Sequence, residues 1–186
     1  MNFNDVISAR RAVRSFTPKK VDDPTIRALL RAAVQAPSAM NAQPWHFAIV
    51  QDTSKLKRYS DRAKALLLDA PPDAKSTHYE QMLRDAHFNV FYDATTLIVI
   101  CGKDRSPYIE ADCWLAAQNL MLAACDMGLG TCPIGFAIRA LNNRDIKEEL
   151  QIPLPGVAVA PIIVGYPSAP VAPVARAEPH VLSWAR

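Results

Sequence analysis

Runs of apolar residues along the chain are of two kinds, and each kind predicts a different secondary structure. Segments whose apolar residues recur every three or four positions are predicted to be helices; they are 4–12, 23–36, 53–68 and 78–89. Short continuous runs rich in β-branched residues are predicted to be strands; they are 45–50, 95–101 and 157–164. The run at 95–101 is typical of a central strand covered on both faces. The pattern therefore predicts a sheet with helices on both sides.

The longest predicted helix begins after Ser106-Pro107 and ends at Gly128. Its sequence is apolar almost all round, and its thin polar stripe consists of Gln118, Asn119 and Asp126. A single core-facing side cannot account for so much apolar surface. We therefore expect the helix to be wrapped by its own domain or by a partner subunit.

Capping and turn residues predict further boundaries. Asp23 is predicted to be the N-cap of the second helix, with Pro24 in its first turn. A later helix is predicted to start within 142–145 and to end near Leu150, and 70–76 is predicted to be a loop. The proline-containing residues 168–186, here called the C-terminal arm, have too little apolar surface for a core of their own. We expect the arm to extend over another surface, for which a second subunit is a natural candidate.

Length and composition limit the class of protein. With 186 residues, half of them hydrophobic, the chain is expected to form a single domain, 1–186. The net charge of +3 is mild and the Lys and Arg residues are dispersed, which argues against nucleic acid as the main partner. The chain shows neither a secretory signal nor a membrane-spanning run, so we expect a cytoplasmic protein.

The four cysteines do not form a recognisable metal or disulfide pattern. They show no CxxC pair and lie mostly in apolar surroundings, which favours buried free thiols over disulfides or zinc ligands. The sequence also lacks the GxGxxG turn of Rossmann domains and the GxxxxGK[ST] loop of P-loop proteins. A permanently held dinucleotide and P-loop chemistry are therefore not expected.

Two segments contain residues that could bind a ligand. Arg10, Arg11 and Arg14 could hold a phosphate through charge-assisted hydrogen bonds, although spacing alone favours a solvated basic helix end. Residues 37–43, here called the Pro-Ser loop, place hydrogen-bonding side chains between a helix and a strand, where binding residues often lie. Ser and Asn also satisfy the backbone of ordinary turns, so a purely structural loop is the alternative.

Four motifs, in order along nearly the whole chain, together resemble the nitroreductase family. They are Arg-Arg-Ala-Val-Arg-Ser-Phe at 10–16, Pro-Ser through Gln-Pro-Trp-His-Phe at 37–47, Gly-Leu-Gly-Thr-Cys-Pro-Ile-Gly at 128–135 and Gly-Tyr-Pro at 165–167. The resemblance implies the nitroreductase fold, which is of the α+β class (a three-layer α/β arrangement) and has a mainly antiparallel sheet flanked by helices. It also implies that the long helix lies at the centre of a homodimer, with a flavin mononucleotide (FMN) at the dimer interface.

The resemblance implies a role for each segment at the flavin. Arg10 and Arg11 would hold the phosphate, and Arg14 would lie beside the pyrimidine edge of the ring, where negative charge develops on reduction. The Pro-Ser loop would reach the flavin from the other subunit. Its contacts would come from the backbone of Pro37, Ser38 and Ala39 and from the side chains of Asn41 and Gln43, with Asn41 at the pyrimidine edge.

Two further segments complete the implied flavin site. Residues Pro133, Ile134 and Gly135 would pass over the ring, with a backbone N–H at flavin N5, and Arg176 of the C-terminal arm would add to the phosphate site. Ala12 stands where the family often has Ser, so one hydroxyl contact is absent and weaker FMN binding is expected. Metal ligands are not expected.

The family chemistry implies an enzyme with a ping-pong cycle, in which NADH or NADPH reduces the flavin and a nitroaromatic or quinone then reoxidises it. The alternatives are a specialised flavoenzyme of the same family (a dehalogenase, ring dehydrogenase or flavin-fragmenting enzyme) and a flavin-binding protein without turnover. Protein nucleophiles are not required, so structural or surface roles are expected for His46, His87 and Cys132. The acceptor would be chosen by 53–93, in which four aromatic residues are candidates for either a lid or the core: Tyr79, Phe88, Phe91 and Tyr92.

Overall fold

The computed structural model of the chain describes residues 1–69 and 77–186, so the predicted loop at 70–76 lies outside the described residues. Within these two stretches four strands form an antiparallel sheet in the order β1-β2-β4-β3. The strands are β1 (Trp45–Val50), β2 (Thr96–Gly102), β3 (Gly130–Pro133) and β4 (Val157–Gly165). The predicted antiparallel sheet is confirmed, and β4 continues through Pro161, which lies opposite Val99 of β2.

Helices cover both faces of this sheet, as the apolar pattern predicts. They are α1 (Phe3–Ala9), α2 (Asp23–Ala33), α3 (Thr53–Leu68), α4 (Thr77–Arg84), α5 (Ile109–Asp126), α6 (Ile138–Leu141) and α7 (Arg144–Glu149). The central strand β2 is buried along its whole length. Ile98 and Ile100 pack with α2 and α5, whereas Leu97 and Val99 pack with α3, α6 and α7 on the opposite face. The alternation follows from the two-residue period of a strand.

The first helix ends earlier than the sequence predicts, and this changes the arrangement of the arginines. α1 stops at Ala9, because the chain then extends alongside β3: Ala12 pairs in parallel with Thr131, and the Val13 N–H donates to the Thr131 carbonyl at 2.9 Å. Arg10 and Arg14 therefore lie at the two ends of an extended segment and not together at the end of a helix.

The second helix, α2, ends at Ala33 and not at 36. Two more predicted helix boundaries are wrong for identifiable reasons. The N-cap of α2 is Asp22 and not Asp23, since the Asp22 carboxylate accepts the Thr25 N–H at 2.8 Å. α4 ends at Arg84 and not at 89, because the buried Lys64 ammonium donates to the carbonyls of Asp85 and Phe88. The bonds from Lys64 span 21 and 24 residues, and contacts over such distances leave no signal in the local pattern.

The long helix and the arm leave apolar surface uncovered in a single chain. α5 begins at Ile109, two residues after Pro107, and Gly128 follows its end with the positive φ of 74° that favours glycine. Trp114 and Leu115 on α5 remain 36% and 45% exposed. The C-terminal arm is irregular and exposed throughout. Among the described residues, no helix is both long and apolar enough to cross a membrane.

Candidate active site

The extended segment 10–14 runs beside β3, and its arginines line three cavities, two of which include other predicted site residues or the start of the C-terminal arm. One, here called the arginine-pair cavity, has a volume of about 200 Å³ and is lined by Arg10, Arg11, Thr131, Pro167 and the start of the C-terminal arm. The other, the Arg14 cavity, has a volume of about 350 Å³. Its lining includes Arg14, Tyr79, Met82, Val90, Tyr92, Cys132, Pro133, Ile134, Gly135 and Phe136. Two predicted site segments, 10–14 and 133–135, therefore meet at β3.

The arginine-pair cavity is electropositive and contains an unsatisfied donor. A terminal nitrogen of Arg11 donates to the Arg10 carbonyl at 2.9 Å, but its Nε is buried and has no hydrogen-bond partner among the described residues. Buried donors are normally paired, so the Nε of Arg11 is a donor whose acceptor the described residues of the single chain do not supply. Cys125 lines the same cavity; burial raises the pKa of its thiol, and the charges of Arg10 and Arg11 oppose that rise.

The Arg14 cavity combines one cation with several aromatic rings. The Arg14 guanidinium lies 5.7 Å from the centre of the Tyr92 ring, and Tyr79 meets Phe136 edge to face with the ring centres 5.6 Å apart. Burial raises the pKa of the Cys132 thiol, an effect that Arg14 partly offsets. A flat apolar molecule with negative charge at one edge would be compatible with this lining.

Residues 133–135 line the Arg14 cavity, but they differ in whether their backbone is accessible to a ligand. Pro133 has no N–H, and the Ile134 N–H is donated to the Pro161 carbonyl at 2.8 Å. A Cβ built on Gly135 meets no atom within 4 Å. Gly135 is therefore the position of the three where a ligand could approach the backbone closely.

The Pro-Ser loop lies away from both cavities of its own chain. The Ala39 N–H donates to the buried Asp112 carboxylate at 3.0 Å, which places the loop at the N-terminal end of α5, whereas Cys125 of the arginine-pair cavity is near the other end. At about 1.5 Å per residue these ends are about 20 Å apart. The loop also leads into β1, on the opposite edge of the sheet from β3, about 14 Å away at the usual strand spacing.

A single chain therefore does not bring all the predicted site residues together. It unites Arg14 with Pro133, Ile134 and Gly135, and it places Arg10 and Arg11 in the arginine-pair cavity, whose lining shares no residue with the Arg14 cavity. It leaves other predicted residues elsewhere: Pro37, Ser38, Ala39, Asn41 and Gln43 in the Pro-Ser loop, and Arg176 in the exposed arm.

The structure shows the positions of several residues that the sequence could not assign to the cavity, the core or the surface. Tyr79 and Tyr92 line the Arg14 cavity, whereas Phe91 is completely buried in the core and Phe88 packs against it. Met82 and Phe136 also line that cavity, and neither was predicted from the sequence. Phe136 directly follows Gly135, so its position in the sequence could have indicated that it lies at the cavity. His46 is exposed on β1, and His87 is exposed in a turn and not in the predicted helix. The four cysteines are free, as predicted.

Comparison with known proteins agrees with this architecture. Residues 7–166 match the nitroreductase family. An Archaeoglobus fulgidus protein with the provisional name NADH dehydrogenase/NAD(P)H nitroreductase is 30% identical over 167 residues, which cover 87% of this chain and 83% of the relative.

Two solved structures have a similar fold. A Bacteroides fragilis nitroreductase with bound FMN superposes with a TM-score of 0.83 at 24% identity, covering 100% of this chain and 98% of that one. An oxidised iodotyrosine deiodinase bound to FMN and 3-iodo-L-tyrosine has a TM-score of 0.77 at 27% identity and covers 96% of each chain. Together with the family match over residues 7–166, these findings show that the chain belongs to the nitroreductase family.

Proposed function

We propose that this protein is a homodimeric FMN oxidoreductase that takes electrons from NADH or NADPH in a ping-pong cycle and passes them to a small organic acceptor, such as a nitroaromatic or a quinone. The observation that carries the proposal is the convergence of Arg14 and residues 133–135 on one cavity, beside the arginine-pair cavity. The family membership supports the same assignment.

The residues present fit FMN at both of its ends. The buried, unpaired Nε of Arg11 and the neighbouring Arg10 would hold the phosphate, and the open backbone at Gly135 leaves room for the ring in the Arg14 cavity. FMN, when bound, supplies a two-electron carrier between the nicotinamide and the acceptor. Because Pro133 lacks an N–H and the Ile134 N–H is engaged by Pro161, we assign the contact to flavin N5 to the Gly135 N–H.

Arg14 would bias the site toward the reduced state of the cofactor. A fixed guanidinium at the pyrimidine edge stabilises developing negative charge more than it stabilises the neutral ring. Tyr92, against which Arg14 rests, limits the positions that the guanidinium can take. The aromatic lining of the same cavity would exclude water from the reacting edge and accept a flat acceptor.

The homodimer is proposed because the site is incomplete in one chain. An antiparallel pairing of α5 with its copy would bring the N-terminal end of one helix, with its Pro-Ser loop, to the arginine end of the other. The exposed Trp114 and Leu115 would be covered in the same contact. Asn41 and Gln43 would then reach the flavin held mainly by the other subunit, and Arg176 of the arm would join the phosphate site.

The phosphate role is tested by comparing FMN with riboflavin, which lacks the phosphate. Wild-type protein should bind FMN far more tightly than riboflavin in a visible-absorption titration. Substitution R11A should reduce that preference by about tenfold to a hundredfold, the usual effect of a lost charged hydrogen bond, while riboflavin affinity stays unchanged. Equal losses for both ligands would place Arg11 outside the phosphate site.

Dehalogenation of an aromatic acceptor is the second candidate function, because the iodotyrosine deiodinase structure is similar over nearly the whole chain. It keeps the proposed flavin site and changes the acceptor. Reduced protein mixed with 3-iodo-L-tyrosine under anaerobic conditions should then release iodide. Reoxidation by nitroaromatics and quinones without release of iodide would favour the first candidate.

A further inference from the structure

We infer that Asp112 is a positioning residue, whose buried carboxylate holds the Pro-Ser loop in the conformation that presents Asn41 and Gln43 to the flavin across the dimer interface. This inference rests on the proposed function. It assigns to Asp112 an effect on the cofactor that is transmitted through the loop and not through direct contact.

The contact between Asp112 and the loop joins distant parts of the chain. Asp112 is only 4% exposed, in the first turn of α5, and its Oδ1 accepts the Ala39 N–H at 3.0 Å. Burying a carboxylate is unfavourable unless charged hydrogen bonds compensate. Glu110, in the same turn, is exposed and already places a negative charge at the positive end of the helix dipole. The dipole therefore does not explain why a second acid is buried here. The contact with Ala39 gives the buried carboxylate a role.

The backbone of the loop is strained and has to be held by specific contacts. Met40, Asn41 and Gln43 have φ values of 53°, 52° and 46°, in the left-handed region that side-chain-bearing residues rarely adopt. Strain of this kind persists only where surrounding structure enforces it, and it concentrates at functional sites. The side chain of Met40 is 97% exposed, so packing of that residue on its own chain does not explain the conformation.

Bonds inside the loop fix its shape, and Asp112 fixes its position. The Ser38 hydroxyl accepts the Gln43 N–H at 2.9 Å, and the Gln43 side-chain amide donates to Asn41 Oδ1 at 3.3 Å. These contacts orient the two amide side chains relative to each other. The bond from Ala39 to Asp112 ties this unit to α5, the helix proposed to lie at the dimer interface. The same helix therefore sets the subunit contact and the placement of the loop.

The test compares D112A and D112N with E110A in the purified dimer. D112A removes the acceptor for the Ala39 N–H, and we expect FMN affinity to fall by about tenfold, with a change in the visible bands and midpoint potential of the bound flavin. D112N keeps an oxygen that can accept the same N–H, so it should fold and show a smaller effect. E110A removes an acid from the same turn without touching the loop and should match the wild type.

A double variant separates action through the loop from general destabilisation. If Asp112 acts by placing Asn41, then N41A should weaken FMN binding in the wild type but cause little further loss in D112A. Faster amide hydrogen exchange at 38–43 in cofactor-free D112A should accompany this result. Wild-type affinity, spectrum and potential in D112A, or additive losses with N41A, would overturn the inference alone. Wild-type protein that binds no FMN would overturn the proposed function and this role with it.

Discussion

Arg14 is the residue whose charge the proposed chemistry uses most directly. It lines the cavity formed with residues 133–135, and its guanidinium lies 5.7 Å from the centre of the Tyr92 ring. Sequence spacing alone could not separate it from Arg10 and Arg11. The structure separates them because Arg14 lines cavities that also contain Tyr92, whereas Arg10 and Arg11 line the arginine-pair cavity.

Replacing Arg14 by alanine should make the bound flavin harder to reduce. Without the guanidinium the anionic reduced state loses a charged contact, and the two-electron midpoint potential should fall by about 30 to 60 mV. Spectroelectrochemical titration of the FMN-loaded protein measures this shift. R14K should restore part of it, and R144A, which removes an exposed arginine paired with Glu148 on α7, should leave the potential unchanged. An unchanged potential in R14A would contradict the position assigned to Arg14.

Two glycines allow folding and flavin binding to be tested separately. A Cβ on Gly130 would lie 2.7 Å from the Cβ of Val13, so G130A should push the segment 10–14 off β3 and destabilise the protein by about 1 to 3 kcal/mol. A Cβ on Gly135 meets no atom within 4 Å, so G135A should keep the stability but weaken FMN binding. Thermal unfolding of the cofactor-free proteins and FMN titration measure the two effects. Normal FMN affinity in G135A would exclude close contact between Gly135 and the ring.

At the scale of elements, the sequence predicts the bounds of those helices and strands whose ends depend on local residues. β1 and α3 occur at the predicted residues 45–50 and 53–68, because their apolar spacing is regular and their ends carry turn or capping residues. The end of α1 could not be predicted, since it depends on pairing between Ala12 and Thr131, more than a hundred residues apart. Likewise, Asp112 gave no signal as a loop anchor, because its partner Ala39 is 73 residues away.

Part of the candidate site was predictable from the sequence. The predictable and unpredictable residues differ for a physical reason. The motifs at 10–14, 37–43 and 128–135 contain the residues now found at the cavities or in the loop, because backbone requirements leave a recognisable pattern of Arg, Pro, Ser and Gly. Met82, Tyr79 and Tyr92 come from α4 and the turn after it, where aromatic and apolar residues fit core and cavity equally well. Only the packing of that segment against residues 133–136 decides between the two.

At the scale of the whole molecule, the proposed site requires two copies of the chain. The Pro-Ser loop and the Arg14 cavity lie at opposite edges of the sheet, and α5 separates the loop from the arginine pair. These distances belong to the architecture and cannot be closed by side-chain movement. Flavin binding and dimerisation should therefore be lost together.

A charge placed on the exposed apolar face of α5 should separate the subunits. Leu115 is 45% exposed in the single chain, and L115E would bury a carboxylate in the proposed interface. Sedimentation should show monomers with much weaker FMN binding. The control is L154E, the same substitution at a leucine that is 84% exposed in the loop before β4, which should remain a flavin-binding dimer. An L115E protein that is still dimeric would exclude this face of α5 as the contact.

The most direct test of the account is the visible absorption of the FMN-loaded protein during one anaerobic cycle. The proposed function predicts that NADH or NADPH bleaches the flavin bands and that a nitroaromatic or quinone then restores them. Each half-reaction should proceed without the other substrate, as a ping-pong cycle requires. Bound flavin that accepts electrons from neither nicotinamide, or protein that binds no FMN at all, would contradict the account.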